Sequence, residues 1–120
     1  MAVHLKRAYE PASPADGKRY LVDRLWPRGV RREDLRLDAW LKELAPSTEL
    51  RRWFGHDPAR WQEFRQRYQE ELRRPEAASV LARLAREAKD ETVTLVFGAK
   101  DVRHNDAVVL KETIEEAARA

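Results

Sequence analysis

Alternating apolar and polar positions near the start of the chain predict its first strands. Residues 3–9 alternate in this way, which is typical of a half-buried strand. After a loop over 10–19, rich in Pro, Ser and Asp, the apolar segment 20–25 predicts a second strand. Pro27 closes that segment, because proline has no N–H to donate to a sheet. The densest apolar run, 92–98, predicts a central strand that is covered on both faces.

Apolar residues three and four positions apart predict several helices after the second strand. The first such stripe consists of Leu37, Trp40, Leu41 and Leu44. Pro46 ends it, and Ser47 can cap a short helix that follows. Asp57, followed by Pro58 at the first helical position, is a strong start signal for the next helix. The stripe of that helix is Trp61, Phe64, Tyr68 and Leu72.

The last two helices lie on either side of the third predicted strand. Pro75 begins one of them, and Asn105 or Asp106 can cap the other. The order is therefore strand, strand, several helices, strand, helix, and no repeat or second domain interrupts it. It predicts a single α/β domain over residues 1–120, with about three strands covered by helices.

Composition excludes several classes of protein. The 120 residues suffice for one hydrophobic core, and the absence of cysteine excludes thiol catalysis, zinc-thiolate sites and disulfide scaffolds. Neither a signal-peptide pattern nor an apolar run of about 18 residues is present. The sequence therefore predicts a soluble, cytoplasmic protein that does not enter a membrane.

The charged residues, 38% of the chain, nearly balance, with a net charge of +3. The basic excess is local: five arginines against Glu33 and Asp34 fall within residues 24–36. Such a segment favours an anionic partner, although it is less basic than the surface of a dedicated DNA-binding protein.

The first candidate site lies at the end of the second strand and in the turn after it. It contains Asp23, Arg24, Trp26 and Arg28. Asp23 lies among apolar neighbours, so it requires a partner, and a structural ion pair with an arginine is one interpretation. In the functional interpretation Arg24 and Arg28 hold an anion, while Trp26 stacks on a base or sugar or simply covers the core.

The second candidate site follows the third strand and contains Lys100, Asp101, His104 and Asn105. The free N–H groups of a helix start favour anions, and Lys100 adds a point charge. Asp101 or His104 can serve as a base. In the structural alternative, Asp101 caps a turn and Asn105 caps the helix.

The third candidate segment is residues 53–58. Its Asp57 is interpreted as a helix cap, whereas His56 is a candidate ligand-binding residue. His56 matches no compact metal-ligand spacing with His4 or His104, so no metal site is predicted. Dinucleotide, Walker, α/β-hydrolase and zincin motifs are absent.

Four motifs together resemble one protein family. The segments 21–29, 40–47, 50–58 and 99–105 are similar to the YeaO-like family, a bacterial family of unknown function, and the resemblance covers nearly the whole chain. It implies a compact α/β domain with a small, mainly parallel sheet. It implies no established activity, and the cofactor, like the ligand, is unknown from the sequence.

The leading hypothesis is one cleft at the carboxyl ends of the strands, where ligands of α/β sheets bind. It predicts that the strand over 20–25 lies beside the strand over 92–98, with Asp23 close to the segment 100–105. Asp23, Asp101 and His104 are the catalytic candidates for hydrolysis of, or transfer from, a phosphorylated or nucleotide-like ligand. The alternatives are a non-enzymatic module that binds nucleic acid or protein through 24–36, and polar networks that only stabilise the fold.

Overall fold

The computed structural model describes residues 2–119 and contains a parallel sheet. Its strands are β1 (Ala2–Arg7), β2 (Lys18–Leu21), β3 (Ala39–Trp40) and β4 (Thr92–Phe97). They lie in the order β1, β4, β2, β3, and residues 93–97 of the central β4 are buried. The predicted α/β fold with a parallel sheet is confirmed, and the described residues contain four strands where about three were expected.

Five α-helices surround this sheet within residues 2–119. They are α1 (Arg32–Leu35), α2 (Thr48–Phe54), α3 (Trp61–Glu71), α4 (Pro75–Asp90) and α5 (Asp106–Arg119). The predicted starts are confirmed: the Ser47 hydroxyl accepts the Leu50 N–H, and Asn105 Oδ1 accepts the Val108 N–H. Asp57 caps a 3₁₀ turn, Pro58–Arg60, that leads directly into α3.

The helix predicted from Leu37 to Leu44 is wrong. Residues 39–40 form β3, and a 3₁₀ turn follows at Lys42–Leu44. The Leu41 N–H donates to the Leu21 carbonyl at 2.8 Å, so pairing with β2 replaces the helical hydrogen bonds. The apolar positions also divide between two clusters, since Trp40 packs on one face of the sheet and Leu44 on the other. Periodicity alone cannot distinguish these cases in so short a segment.

The second strand was predicted too late in the chain. It begins at Lys18, inside the predicted loop, and ends at Leu21 rather than residue 25. Gly17, at φ 63°, makes the turn into it, and a Cβ there would lie 2.2 Å from the Thr92 carbonyl oxygen. The last backbone hydrogen bond from this segment to β4 is the one that the Val22 N–H donates to the Val96 carbonyl. The residues after Val22 are therefore free to leave the sheet.

The two faces of the sheet are covered differently. Helices α2 to α5 pack on one face with Tyr20, Leu95 and Phe97. The opposite face carries a small cluster, in which Leu35 of α1 covers Leu21 and Val96 with Trp26 and Trp40 at its border. The segment between β2 and α1 therefore crosses the carboxyl end of the sheet. None of the helices within residues 2–119 has the length and apolar character needed to cross a membrane.

Candidate functional site

A cleft of about 520 Å³ opens at the carboxyl ends of β2 and β4. Its size falls within the range of about 300–1,000 Å³ that is typical of small-molecule sites. The apolar lining is Leu25, Trp26, Pro27, Pro46, Phe54, Phe64, Gly98 and Ala99, and the polar lining is Asp23, Arg24, Arg28, Arg51, His56, Asn105 and Asp106. A smaller cavity of about 130 Å³ shares Arg24 with it.

Asp23 connects the two strand ends. Its Oδ2 accepts the Gly98 N–H at 2.8 Å, and its backbone carbonyl accepts Trp40 Nε1–H at 2.7 Å. The predicted pairing of the second strand with the strand over 92–98 is confirmed, because β2 and β4 are adjacent. Of the segment 100–105, which was predicted to lie close to Asp23, only Asn105 lines the cleft with it. Within residues 2–119 Asp23 has no ion pair, so the arginine partner considered from the sequence is not found. Arg24 Nε instead donates to the Pro46 carbonyl at 3.3 Å.

Asp106, the first residue of α5, lies beside Asp23 in the cleft. Burial raises the pKa of Asp106 well above its usual value, and the negative charge of Asp23 and a hydrogen bond between the two carboxyl groups raise it further. Two adjacent carboxylates resist being ionised together. From the sequence, Asp106 was interpreted only as a possible helix cap. Its place at the start of the helix that follows a predicted strand was the available signal.

Basic side chains surround the mouth of the cleft. Arg28 and Arg51 are exposed, and neither has an ion-pair partner among the described residues. The turn that carries Arg28 contains buried Pro27 and Gly29 at φ 77°, and the Tyr9 hydroxyl donates to the Arg28 carbonyl at 3.1 Å. The three arginines of the lining, Arg24, Arg28 and Arg51, outnumber its two aspartates. This mouth can attract and hold an anion.

Aromatic rings form two walls of the cleft. Phe54 of α2 and Phe64 of α3 stack with ring centroids 4.4 Å apart, and the exposed His56 lies 6.2 Å from Phe54. Trp26 packs edge-on against Trp40 at 5.4 Å, and its Nε1–H donates to the Val30 carbonyl. Trp26 therefore both borders the cleft and covers the smaller apolar cluster. Its role in covering the core is confirmed, and stacking on a ligand stays a prediction.

The second predicted motif is organised as a structural turn. The Asp101 carboxylate accepts the N–H groups of Arg103 and His104 and lies 2.9 Å from His104 Nδ1. The Arg103 N–H and the His104 ring are the main groups that lower the pKa of Asp101. The ring of His104 packs on Trp61, with 5.2 Å between the centroids. Asn105 is buried, and its Nδ2 donates to the Asp101 carbonyl.

Six of the nine predicted site residues line one cleft: Asp23, Arg24, Trp26, Arg28, His56 and Asn105. Lys100, Asp101 and His104 are not in its lining. The sequence analysis did not select Arg51, Phe54, Phe64 or Asp106 as site residues, although the structure places them there. Among residues 2–119 no group of three or more metal-binding side chains lies together.

Comparison with known proteins gives consistent matches. Residues 2–120 match the family described as "Inactive DUF488-N3 subclade". The uncharacterised protein YeaO of Escherichia coli (strain K12) is 46% identical over 112 residues, which cover 93% of this chain and 96% of YeaO. The uncharacterised protein Rv3073c of Mycobacterium tuberculosis (strain ATCC 25618 / H37Rv) is 43% identical, with 93% and 92% coverage. No solved structure matches significantly. The resemblance to the YeaO-like family is confirmed.

Proposed function

Because the chain belongs to the family described as the inactive DUF488-N3 subclade, we propose that its cleft binds a small anionic ligand and leaves it chemically unchanged. The ligand is phosphorylated or nucleotide-like. The observation that carries this proposal is the convergence of Arg24 and Arg28, from the segment after β2, with Arg51 of α2 on one cleft of about 520 Å³.

The arginines suit a phosphate group in particular. A guanidinium presents N–H groups in a planar fork that matches two phosphate oxygens, and such bonds are stronger than those between neutral groups. Arg28 follows β2, whereas Arg51 lies on α2, so the two can approach one phosphate from different directions. Neither loses an ion pair within the described residues when it turns to the ligand. The rings of Trp26, Phe54 and Phe64 supply an apolar surface for the rest of the ligand.

Binding without turnover fits the placement of the catalytic candidates. Asp101 and His104 bond to each other outside the cleft lining, so the lining contains no carboxylate–histidine pair that could activate water. His56 is exposed at the mouth and has no ion pair with the described residues. Asp23 and Asp106 remain as the carboxyl groups of the lining, and the charge of Asp23 contributes to the raised pKa of Asp106. The description of the family as inactive agrees with this arrangement.

The alternative, a module that binds nucleic acid or protein through 24–36, receives less support. Arg31 Nε lies 3.2 Å from the Asp34 carboxylate and 3.9 Å from that of Glu33, so part of the basic excess is neutralised within the segment. Binding to duplex DNA through several phosphates would weaken steeply with salt. Random duplex DNA at low and moderate salt therefore separates the two proposals.

Calorimetric titration with inorganic phosphate, sugar phosphates and nucleotides tests the proposal. At least one phosphorylated ligand should bind the wild type, and mass spectrometry should recover that ligand unchanged. Arg28→Gln and Arg51→Gln should each weaken binding by about tenfold to a hundredfold, the value of one charge-assisted hydrogen bond. The matched control is Arg52→Gln, because Arg52 is exposed on the same helix as Arg51 but outside the cleft lining.

Three results would contradict the proposal. The first is that no phosphorylated compound binds. The second is that Arg52→Gln weakens binding as much as Arg51→Gln does. The third is conversion of the bound compound, which would make the protein an enzyme.

A further inference from the structure

We infer that the floor of this cleft selects a ligand whose buried end presents two adjacent N–H donors, as the guanine base does with its ring N1–H and 2-amino group. The inference rests on the proposed function and specifies the ligand class of the same site. The arginines would hold the phosphate at the mouth, while Asp23 and Asp106 would receive the base at the floor.

The hydrogen bonds that the two carboxyl groups already make leave mainly acceptor oxygens for a ligand. Asp23 Oδ2 accepts the Gly98 N–H, and Asp106 Oδ1 accepts the Ala107 N–H at 2.9 Å. A hydrogen bond between the two carboxyl groups contributes to the raised pKa of Asp106. Both aspartates line the cleft, and each has an oxygen besides the one that accepts a backbone N–H, so each retains lone pairs that can accept a hydrogen bond. A ligand end that brings N–H donors satisfies these oxygens, whereas a carbonyl there would be repelled.

The neighbouring donors are already engaged. Asn105 donates to the Asp101 carbonyl, Trp26 Nε1–H to Val30 and Trp40 Nε1–H to Asp23. The Gly98 N–H is held by Asp23, and the hydroxyl of the buried Tyr68 donates to the Leu44 carbonyl. Apart from the second N–H of the Asn105 amide, none of these groups is free to receive a ligand carbonyl in place of the two carboxyl groups. The floor is therefore an acceptor surface below a cationic mouth.

Two adjacent donors suit this floor better than one does. The two aspartates come from different elements, the end of β2 and the start of α5, and they place their carboxyl groups side by side. A base edge with neighbouring N–H and NH₂ groups can bond to both, in the manner of a bidentate pair. An adenine edge offers its amino group beside a ring nitrogen that only accepts, so one contact would be lost.

Titration with three purine monophosphates tests the inference. GMP and IMP differ only by the 2-amino group, so GMP should bind about tenfold more tightly, the value of one hydrogen bond to a charged acceptor. AMP should bind more weakly than GMP. Asp106→Asn introduces an amide donor at the floor and should reduce the preference for GMP over IMP. Asp90→Asn, a control at the exposed end of α4, should leave the preference unchanged.

Equal affinities of the wild type for GMP and IMP would overturn the inference but not the proposed function, since both carry the phosphate. A preference unchanged in Asp106→Asn would also overturn it. If no phosphorylated compound binds the wild type, the proposed function fails and the inference fails with it. The wild-type comparison of GMP with IMP requires no variant, so it remains decisive if Asp106→Asn fails to fold.

Discussion

The two aspartates of the cleft, Asp23 and Asp106, interact although they are distant in the sequence. They lie 83 positions apart, yet their carboxyl groups share a hydrogen bond. Asp106 also occupies the first turn of α5, where a carboxylate is usually favourable. Burial beside Asp23 opposes that preference, because it disfavours the ionised form.

The raised pKa of Asp106 makes a pH-dependent prediction. A carboxyl group whose folded pKa is raised binds more protons in the folded state than in the unfolded one. The wild type therefore loses stability as pH rises from about 4, the usual pKa of an aspartate, through the raised value. Asp106→Asn lacks this loss, so we expect it to melt at a higher temperature than the wild type at neutral pH.

Thermal unfolding followed from acidic to neutral pH measures this difference. The advantage of Asp106→Asn should disappear below about pH 4, where the aspartate is protonated in both states. A variant that melts lower than the wild type at neutral pH would show instead that the ionised Asp106 stabilises the fold.

Among the elements, the 3₁₀ turn Pro14–Asp16 joins β1 to β2 through a buried charge network. Asp16 Oδ2 lies 2.7 Å from Arg19 Nη1, and Lys6 Nζ lies 3.1 Å from Asp16 Oδ1. Burial raises the pKa of Asp16, but hydrogen bonds from Ser13, Lys6 and Arg19 outweigh it, so the net shift is downward. Arg19 Nη2 is buried and has no hydrogen-bond partner among the described residues. The network therefore has no spare acceptor.

Asp16→Asn should destabilise the protein by about 3–5 kcal/mol, because it leaves the buried Arg19 without its carboxylate. The matched control is Asp34→Asn, which removes an exposed pair with Arg31 and should cost about 0–1 kcal/mol. Urea unfolding of both variants measures the difference. Because the pKa of Asp16 is lowered, its contribution is present above about pH 4 and is lost as pH falls through the folded value. Similar costs for the two variants would contradict the role of the buried network.

The cap before α3 gives a second prediction about a single element. Asp57 Oδ1 accepts the Ala59 N–H at 3.0 Å, so Asp57→Ala should cost about 1 kcal/mol of stability through the lost cap. Asp57→Ser keeps an acceptor and should restore most of it. Ligand binding should be unaffected, because Asp57 is not in the cleft lining. A variant with normal stability and no ligand binding would show that Asp57 belongs to the site.

Elements set by local signals could be predicted from the sequence, and those set by distant partners could not. The stripe of Trp61, Phe64 and Tyr68 and the caps Ser47 and Asn105 specify their helices within a few residues. The short strand β3 exists because residues 39–40 pair with β2, a partner about twenty positions earlier. Its apolar spacing matches a helix equally well, so only the tertiary pairing decides.

At the scale of the whole molecule, the parallel strands bring the candidate site residues to one edge of the sheet. The sequence placed Asp23, Arg28 and Asn105 there because each lies at or beyond the end of a predicted strand. It could not place Arg51 or Phe64, because their position depends on how α2 and α3 pack over the sheet. The polar loops were therefore predictable as a site, whereas the aromatic wall and the third arginine were not.

The dependence of ligand binding on salt concentration reflects the charged surface of the whole molecule. A single phosphate held by two arginines should bind with a shallow dependence on salt, since few counterions are released. Random duplex DNA should show little binding at moderate salt. Tight binding of the duplex that falls steeply with salt, and that is lost in an Arg28/Arg31/Arg32 triple variant, would favour the alternative surface over the cleft.

The most direct test of anion binding in the cleft is a nuclear magnetic resonance titration of the wild type with a phosphorylated ligand. Backbone amide signals of Arg28, Arg51, Gly98, Ala99 and Asp106 should shift together and saturate with one dissociation constant, because these residues line one cavity. Signals of residues 31–36 should change little. Shifts confined to 31–36, or no saturable shift with any phosphorylated ligand, would contradict the proposed cleft.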